Sequence, residues 1–274
     1  MAEPLIGGYR QDLEDYEFLR DNAQYSDQFC FGDIDPRSLG KPMGLSKIIR
    51  KEDQSQMNSC AGNSGSTIFE AGLYHQSKHT ILLQLSRMWA YIKGQEKSGI
   101  RGDNGATLAG VLQALSEGCP LEEFAPYTNE YYTHFSREAI EDAPKRKIKS
   151  WAEVKTVQEV YEGLAKRVGG LYLGIPWTGE CSNPNNGRID YYRGMRVGGH
   201  AICVLDWCEE TAKDGRPYLD LFNSHSKRYG IDGNAHVHPD ALQQMLDCPL
   251  TTAFFVSDME FIAPRFKLKD SQWF

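Results

Sequence analysis

The spacing of apolar residues changes near Gly170, and this change constrains the fold strongly. Before Gly170, apolar side chains recur every three or four residues, as on one face of a helix. After Gly170, short apolar runs alternate with turn residues, as in 171-LYLGI, 201-AICVLDW, 217-PYLDLF and 252-TAFFV. Such runs are typical of strands. The sequence therefore predicts a helical first half and a β-rich second half.

Two helices are predicted from the proline-free stretch that follows Cys60. The first begins at Cys60 and is long and mostly buried, because four apolar residues share a face: Ile81, Leu85, Met88 and Ile92. The second ends before Gly118 and Pro120 and carries Leu108, Val111, Leu112 and Leu115.

Two more helices are predicted from capping signals. The third covers residues 151–168, where Ser150 and Glu153 have the spacing of a capping box. The basic run 145-KRKIK just before it is predicted to be a solvated loop. A short helix is predicted over residues 239–246, because Pro239 suits the first turn of a helix.

The charge balance excludes one class of partner. The formal net charge is −7, whereas proteins that bind nucleic acid or an anionic membrane present a basic face. The first residues lack the basic and apolar regions of a secretory signal. The longest apolar stretches are far shorter than the roughly 20 residues of a membrane helix. We expect a cytoplasmic protein that binds neither nucleic acid nor membrane, and we expect a monomer.

The cysteines favour reduced thiols over disulfides or a metal site. Seven are spaced irregularly: Cys30, Cys60, Cys119, Cys181, Cys203, Cys208 and Cys248. A chain of this length does not depend on disulfides for its stability. The sequence has no CxxC motif, and a zinc site built from Cys203, Cys208 and His200 would have a weak pattern. We expect no metal and no cofactor.

The segment 53-DQSQMNSCAGNSGS distinguishes one of these cysteines. Cys60 lies at a predicted helix start, and only small residues follow it, which lets a substrate approach. The free N–H groups of a first helical turn favour negative charge, and a nucleophilic cysteine acts as its thiolate. Most free cysteines are instead buried, small apolar residues. The hypothesis of a nucleophile therefore needs partners from elsewhere in the chain.

Three further residues can supply those partners. His200 in 197-VGGHAICVLDW would take the thiol proton, because the apolar run behind it forms a strand that holds the ring. Asn223, which follows 217-PYLDLF, would accept the second ring N–H. The side chain of Gln54 and the backbone N–H of Cys60 would donate to the oxyanion of an intermediate. A purely structural histidine is the alternative for His200.

Gln54, Cys60, His200 and Asn223, in this order and context, resemble the papain-like cysteine peptidases. The segment 53-DQSQMNSCAGNS is most similar to the bacterial and viral branch of that family, whose nucleophile segment reads close to DQGQLGSCTANA. The loop 103-DNGAT resembles the glycine-bearing wall of the family's substrate cleft. The resemblance extends over residues 45–262.

This resemblance implies an α+β, papain-like fold with two lobes. A helical lobe with a central long helix would pack against an antiparallel, barrel-like β-sheet lobe. Residues 46–135 would form the helical lobe and residues 136–274 the β-rich lobe, in one structural unit. Residues 1–45 are rich in polar and turn residues, so they are predicted to be an extended lead-in. Within it, residues 1–30 would be either a disordered tail or a short segment that blocks the cleft.

The resemblance also implies an activity, which is hydrolysis of a polypeptide by a catalytic triad. Cys60, His200 and Asn223 would be the triad, with Gln54 as an oxyanion donor. The substrate would bind to the remaining cleft residues: Asn104, Gly105 and Gly199.

Three positions depart from the family pattern and keep two alternatives open. Asn58 stands where the branch favours glycine, whereas Ala61 and His225 stand where an aromatic residue is common. A scaffold that keeps the fold without catalysis is one alternative. A related acyltransferase, in which an amine replaces water as the acceptor, is the other.

Overall fold

The structure is a computed structural model that describes residues 6–10 and 33–262. Its helices are α1 (Cys60–Gln76), α2 (Arg87–Lys97), α3 (Leu108–Glu117), α4 (Arg137–Asp142), α5 (Val157–Ala165), α6 (Gly179–Ser182) and α7 (Pro239–Leu246). Its strands are β1 (Ile6–Gly7), β2 (Arg146–Glu153), β3 (Gly170–Thr178), β4 (Arg188–Ile189), β5 (Arg196–Thr211), β6 (Pro217–Phe222), β7 (Asn234–Val237) and β8 (Thr252–Phe261).

The strands form one sheet in the order β2-β8-β3-β5-β6-β7-β4, with β1 beside β5. Neighbours are antiparallel, except that β4 is parallel to β7 and β1 is parallel to β5. Side chains alternate between the two faces of a strand. Tyr172 and Cys203 pack with the helices α1 to α3, whereas Leu173 and Ile202 pack with α5 and α7. The predicted α+β fold, with a helical lobe against an antiparallel sheet, is confirmed.

The predicted long helix after Cys60 is wrong, because the chain forms two helices with a break over residues 77–86. Lys78 and His79 in this break have left-handed backbone, with φ of 54° and 66°. The backbone N–H of Leu85 donates to the buried carboxyl group of Glu70 at 2.7 Å. A buried polar contact at the break therefore overrides the apolar spacing of this stretch.

The predicted helix over residues 151–168 is wrong at its start. Ser150 and Glu153 lie in β2, which pairs with β8, and the capping box is formed by Thr156 and Glu159 at the start of α5. The run 145-KRKIK is not a solvated loop either. Its side chains alternate between buried and more accessible positions from residue 146 onward, which is the pattern of a strand with one buried face.

The other predicted elements are confirmed. The helix after residue 107 is α3, the helix that begins at Pro239 is α7, and the four apolar runs lie in β3, β5, β6 and β8. No helix within the described ranges is long and apolar enough to cross a membrane. The predicted lead-in is described only in part, since residues 1–5 and 11–32, with Cys30, lie outside the described residues.

Candidate active site

The first residue of α1 lies against β5, and this contact places Cys60 next to the strand that carries His200. Cys60 is fully buried, and the backbone nitrogen of Ala201 lies 3.4 Å from its sulfur. The backbone N–H groups of Gly8, Ala61 and Cys60 itself also lower the pKa of the sulfur. Burial raises the pKa of the thiol to about 12, and the four donors oppose this rise. The first-turn N–H groups of Cys60 and Ala61 thus lower the pKa as predicted, whereas burial acts against the predicted thiolate.

The imidazole of His200 is completely buried and is held from one side. Its Nε2 lies 2.7 Å from Oδ1 of Asn223. An amide oxygen only accepts hydrogen bonds, so Nε2 carries the proton. Among the described residues, Nδ1 has no hydrogen-bond partner. Burial lowers the pKa of His200 well below its ordinary value, and the nearby His225 lowers it further, whereas the bond to Asn223 raises it.

The amide of Asn223 is oriented by its neighbours in the chain. Its Oδ1 accepts a second hydrogen bond from the backbone N–H of Ser224 at 2.8 Å. Its Nδ2 lies 3.3 Å from Nδ1 of His225. An amide nitrogen only donates, so this contact requires an unprotonated Nδ1 on His225.

Gln54 is fixed in position by hydrogen bonds at both ends of its amide. Its Nε2 donates to the carbonyl oxygen of Met57 at 2.9 Å, and its Oε1 accepts from the hydroxyl of Ser224 at 2.6 Å. An amide nitrogen has two hydrogens, so one remains for an oxyanion. Ser224 thus links the candidate oxyanion donor to Asn223, a role that the sequence analysis did not identify although the string 222-FNSH contains the residue.

Aromatic side chains cover the His200 and Asn223 pair. The ring of Trp177, at the end of β3, packs edge-on against His200 with centroids 4.6 Å apart. The ring of His225 lies 4.4 Å from that of His200 with an interplanar angle of 31°. The ring of Tyr229 lies 6.2 Å from that of Trp177 and 6.0 Å from that of His225 between centroids. The sequence left open whether His225 can replace the aromatic residue that commonly shields the asparagine. In the structure, the ring of His225 takes part in covering the His200 and Asn223 pair.

Residues 6–10 pass through the cleft between the two lobes. On one wall, β1 pairs with Gly198 and Gly199. On the other wall, the backbone N–H of Ala106 donates to the carbonyl oxygen of Gly8 at 2.7 Å, and that of Arg10 donates back to Ala106 at 3.0 Å. The chain therefore forms hydrogen bonds with both walls, as an added strand would.

The three residues predicted to bind substrate all contact this segment. The backbone oxygen of Asn104 accepts from Nε of Arg10 at 2.8 Å. A Cβ atom on Gly105 would come within 2.5 Å of the Gly8 oxygen, and one on Gly199 within 2.7 Å of the Tyr9 oxygen. Glycine at these two places therefore leaves room for a main chain in the cleft.

A buried cluster of charged side chains, which no sequence pattern predicted, lies behind the Gln54 segment. The guanidinium of Arg87 contacts Glu52 at 2.6 Å and Glu122 at 3.1 Å. It also donates to Oδ1 of Asn63 in α1 at 3.2 Å and lies 3.4 Å from the carbonyl oxygen of Asp53. Arg87 thereby joins α1, α2 and the residues just before Gln54. Glu52 and Arg87 are far apart in the sequence, so no local motif indicates the contact.

The two remaining departures from the family pattern have structural partners. Asn58 donates from its backbone and its side chain to Asp103, at 2.9 Å in each case, which ties it to the cleft wall. Ala61 is fully buried, and its carbonyl oxygen accepts from the hydroxyl of Tyr172 at 2.6 Å.

No family model matches this chain, and no curated protein matches it. Comparison with solved structures shows that the fold is that of the papain-like cysteine proteases. Xylellain, a cysteine protease from Xylella fastidiosa, has a TM-score of 0.69 and 18% identity, over 94% of this chain and 97% of that chain.

Two plant proteins show the same likeness. The proform of Amb a 11, a cysteine protease and major ragweed pollen allergen, has a TM-score of 0.68 and 15% identity, over 93% of this chain and 74% of that chain. Bromelain from Ananas comosus has a TM-score of 0.63 and 12% identity, over 80% of this chain and 99% of that chain.

Proposed function

We propose that this protein is a cysteine peptidase of the papain-like type, close to the branch that 53-DQSQMNSC resembles. The observation that carries the proposal is the placement of His200. Asn223 holds its Nε2, its Nδ1 has no hydrogen-bond partner in the described part of the chain, and the next residue on β5 contacts the sulfur of Cys60. This is the arrangement that a thiol nucleophile and its base require.

The reaction follows from these positions. Nδ1 of His200 takes the thiol proton, and the thiolate attacks the carbonyl carbon of a peptide bond. Gln54 and the backbone N–H of Cys60 donate to the resulting oxyanion. The C–N bond then breaks, and the imidazolium gives its proton to the leaving amine. Water, deprotonated by the imidazole, hydrolyses the thioester and restores the thiol.

The chain in the cleft is not itself posed for cleavage. The N–H of Gly8 points at the sulfur, whereas its carbonyl oxygen is bonded to Ala106. A scissile bond must instead present its carbonyl carbon to the thiolate. Residues 6–10 therefore occupy the substrate's place without reacting, and a polypeptide substrate enters only when they leave. For residues 6–10, this favours the hypothesis of a blocking segment over that of a disordered tail; the rest of residues 1–30 lies outside the described residues.

The environment of the thiols supports a reducing compartment. Six cysteines in the described part of the chain are free, and five of them are buried. We accordingly propose a monomeric cytoplasmic enzyme that acts on polypeptides. This agrees with the family's need for a reduced nucleophile.

Alkylation of Cys60 by iodoacetamide tests the proposal. Labelling is assigned to each cysteine by mass spectrometry in the native protein and in His200→Ala. We expect Cys60 to react faster than the buried Cys119 and Cys203, and His200→Ala to abolish the difference. His75→Ala is the matched control, because His75 is also buried but lies in α1 away from the site.

Hydrolysis of a peptide library, read by mass spectrometry, then separates the enzymatic hypotheses. Cleaved products show a peptidase, and products extended by an added amine show an acyltransferase. Labelling of Cys60 at the rate of the buried thiols, even after residues 1–10 are removed, would refute the proposal and favour the scaffold.

A further inference from the structure

A second histidine lies against the proposed base, and the reaction described above does not use it. The rings of His200 and His225 are 4.4 Å apart between centroids and tilted by 31°. Trp177 packs edge-on against both rings, at 4.6 Å and 6.1 Å. The pair is therefore packed into one apolar pocket where any charge on either ring is felt strongly by the other.

The two histidines are also joined through Asn223. His200 donates to its Oδ1, and its Nδ2 donates to Nδ1 of His225. A protonated imidazole has donors on both nitrogens and no acceptor. His225 can therefore hold the amide in this orientation only in its neutral form.

The titratable groups that face His225 come from three elements. His200 lies on β5, and Tyr229 lies after β6. Asp53, in the segment before α1, pairs with His225 in an isolated β-bridge. Burial lowers the pKa of His225 below its ordinary value, and the negative charge of Asp53 opposes this shift. The imidazole is thus neutral at neutral pH and gains its proton at acid pH.

We propose that His225 is a positioning residue whose neutral form holds Asn223 on His200 and whose protonation switches the nucleophile off. The proposal rests on the function proposed above. A proton that enters on His225 removes an acceptor from Asn223 and places a positive charge beside His200. This charge opposes the transfer of the thiol proton from Cys60 to His200, because the transfer would place a second positive charge next to the first. His225 has then gained one proton, Cys60 stays a thiol, and His200 stays neutral.

Two variants of the full chain test the charge and the hydrogen bond separately. His225→Gln keeps an acceptor for Asn223 but cannot be protonated, whereas His225→Phe removes both properties. The rate of Cys60 alkylation is measured from about pH 4 to about pH 8, the range in which histidines titrate. Residues 6–10 cover Cys60 in every variant, so the pH dependence is read from rates relative to the plateau of the same protein, and the plateau rates themselves are compared between the proteins.

We expect His225→Gln to keep the rate of Cys60 alkylation at neutral pH. The fall of this rate at acid pH, here called the acid limb, should move about one pH unit lower, since a like charge has been removed. We expect His225→Phe to move the limb similarly but to lower the plateau by about three- to tenfold, which is the usual effect of one lost hydrogen bond. An acid limb that coincides in the native protein and His225→Gln would overturn the proposal.

Nitrogen NMR of the native protein provides a test that does not depend on Cys60 reactivity or on the variants folding. We expect an unprotonated Nδ1 on His225 at neutral pH, and side-chain amide signals of Asn223 that move with the titration of His225. A protonated Nδ1, or an Asn223 amide that ignores the titration, would refute the positioning role. Slow alkylation of Cys60 that does not depend on His200 would instead refute the proposed function. The NMR experiment would still show whether neutral His225 positions Asn223, so the two failures can be told apart.

Discussion

The backbone N–H of Ala106 donates to the carbonyl oxygen of Gly8 at 2.7 Å, which directs that carbonyl away from Cys60. Gly8 is thus held in the cleft by main-chain contacts with both walls, and its N–H rather than its carbonyl carbon acts on the thiol. Burial raises the pKa of Cys60 to about 12, and the backbone N–H of Gly8 opposes this rise. Removal of the segment should open the cleft to the thiol.

The first prediction is that Gly8→Val frees the cleft without truncation. A Cβ at this position would lie 2.1 Å from the oxygen of Asn58 and 2.9 Å from the sulfur of Cys60. Backbone on one side and a buried sulfur on the other cannot move aside easily, so the segment must leave. We expect alkylation of Cys60 to become at least about tenfold faster, which corresponds to about 1.4 kcal/mol of lost contact.

Gly40→Val is the matched control for this change, because nothing lies within 4 Å of a Cβ added at Gly40. Deletion of residues 1–10 should reproduce the effect of Gly8→Val. If Gly8→Val labels Cys60 no faster than Gly40→Val does, the segment does not limit access to the thiol.

The second prediction separates attack by the thiol from stabilisation of the oxyanion. Gln54→Ala should lower the rate of peptide hydrolysis by about 10²- to 10³-fold, the usual cost of one lost oxyanion donor. Alkylation of Cys60 forms no oxyanion, so its rate should stay unchanged. Parallel loss of both rates would contradict the role of Gln54 and indicate a general disturbance of the site.

Ser224→Ala tests the same role of Gln54 with a smaller expected loss of hydrolysis. It removes the 2.6 Å hydrogen bond to Oε1 of Gln54 but leaves the backbone N–H that binds Asn223. We expect a loss of hydrolysis of about three- to tenfold, in line with a single hydrogen bond. The pH profile of alkylation should not move, because His200 and Asn223 keep their contacts.

The sequence indicated the fold where local patterns decide the structure. The strand runs around His200 and Asn223 and the helix that begins at Pro239 were recognisable because period, composition and capping agree. The break after Gln76 was not recognisable, because it depends on Glu70 accepting from Leu85 across the turn. β2 was missed for a related reason, since its partner β8 lies more than 100 residues later.

The candidate site also contains residues that the sequence indicates and contacts that only the folded chain reveals. Cys60, His200, Asn223 and Gln54 were proposed from residue type, order and resemblance, and the structure places them together. Contacts between distant segments were not accessible. The position of Arg87 beneath the Gln54 segment is set by tertiary packing alone, and the sequence offered a segment that blocks the cleft only as one of two hypotheses for residues 1–30.

The third prediction concerns the charged cluster around Arg87. Loss of one partner leaves buried charge without compensation, so Arg87→Met should lower the free energy of unfolding by about 3–5 kcal/mol. Arg137→Met is the control, because the ion pair of Arg137 with Glu141 is exposed and such pairs contribute about 0–1 kcal/mol. Urea denaturation of both variants measures the difference. Similar stability in both would mean that the cluster around Arg87 adds no more than a surface pair.

The fourth prediction concerns stability and pH, through Glu70 in α1. Burial raises the pKa of this carboxyl group from 4.5 to about 8, and the charge of Glu52 adds to the rise. Between these two pH values the folded chain keeps a proton that the unfolded chain has lost, so the free energy of unfolding falls as pH rises. The slope from this group is at most about 1.4 kcal/mol per pH unit. Glu70→Gln retains an acceptor for the Leu85 N–H and cannot ionise. In urea titrations at several pH values across this window, the variant should lose less stability than the native protein toward the alkaline end, and parallel curves would show that Glu70 does not hold its proton in the folded state.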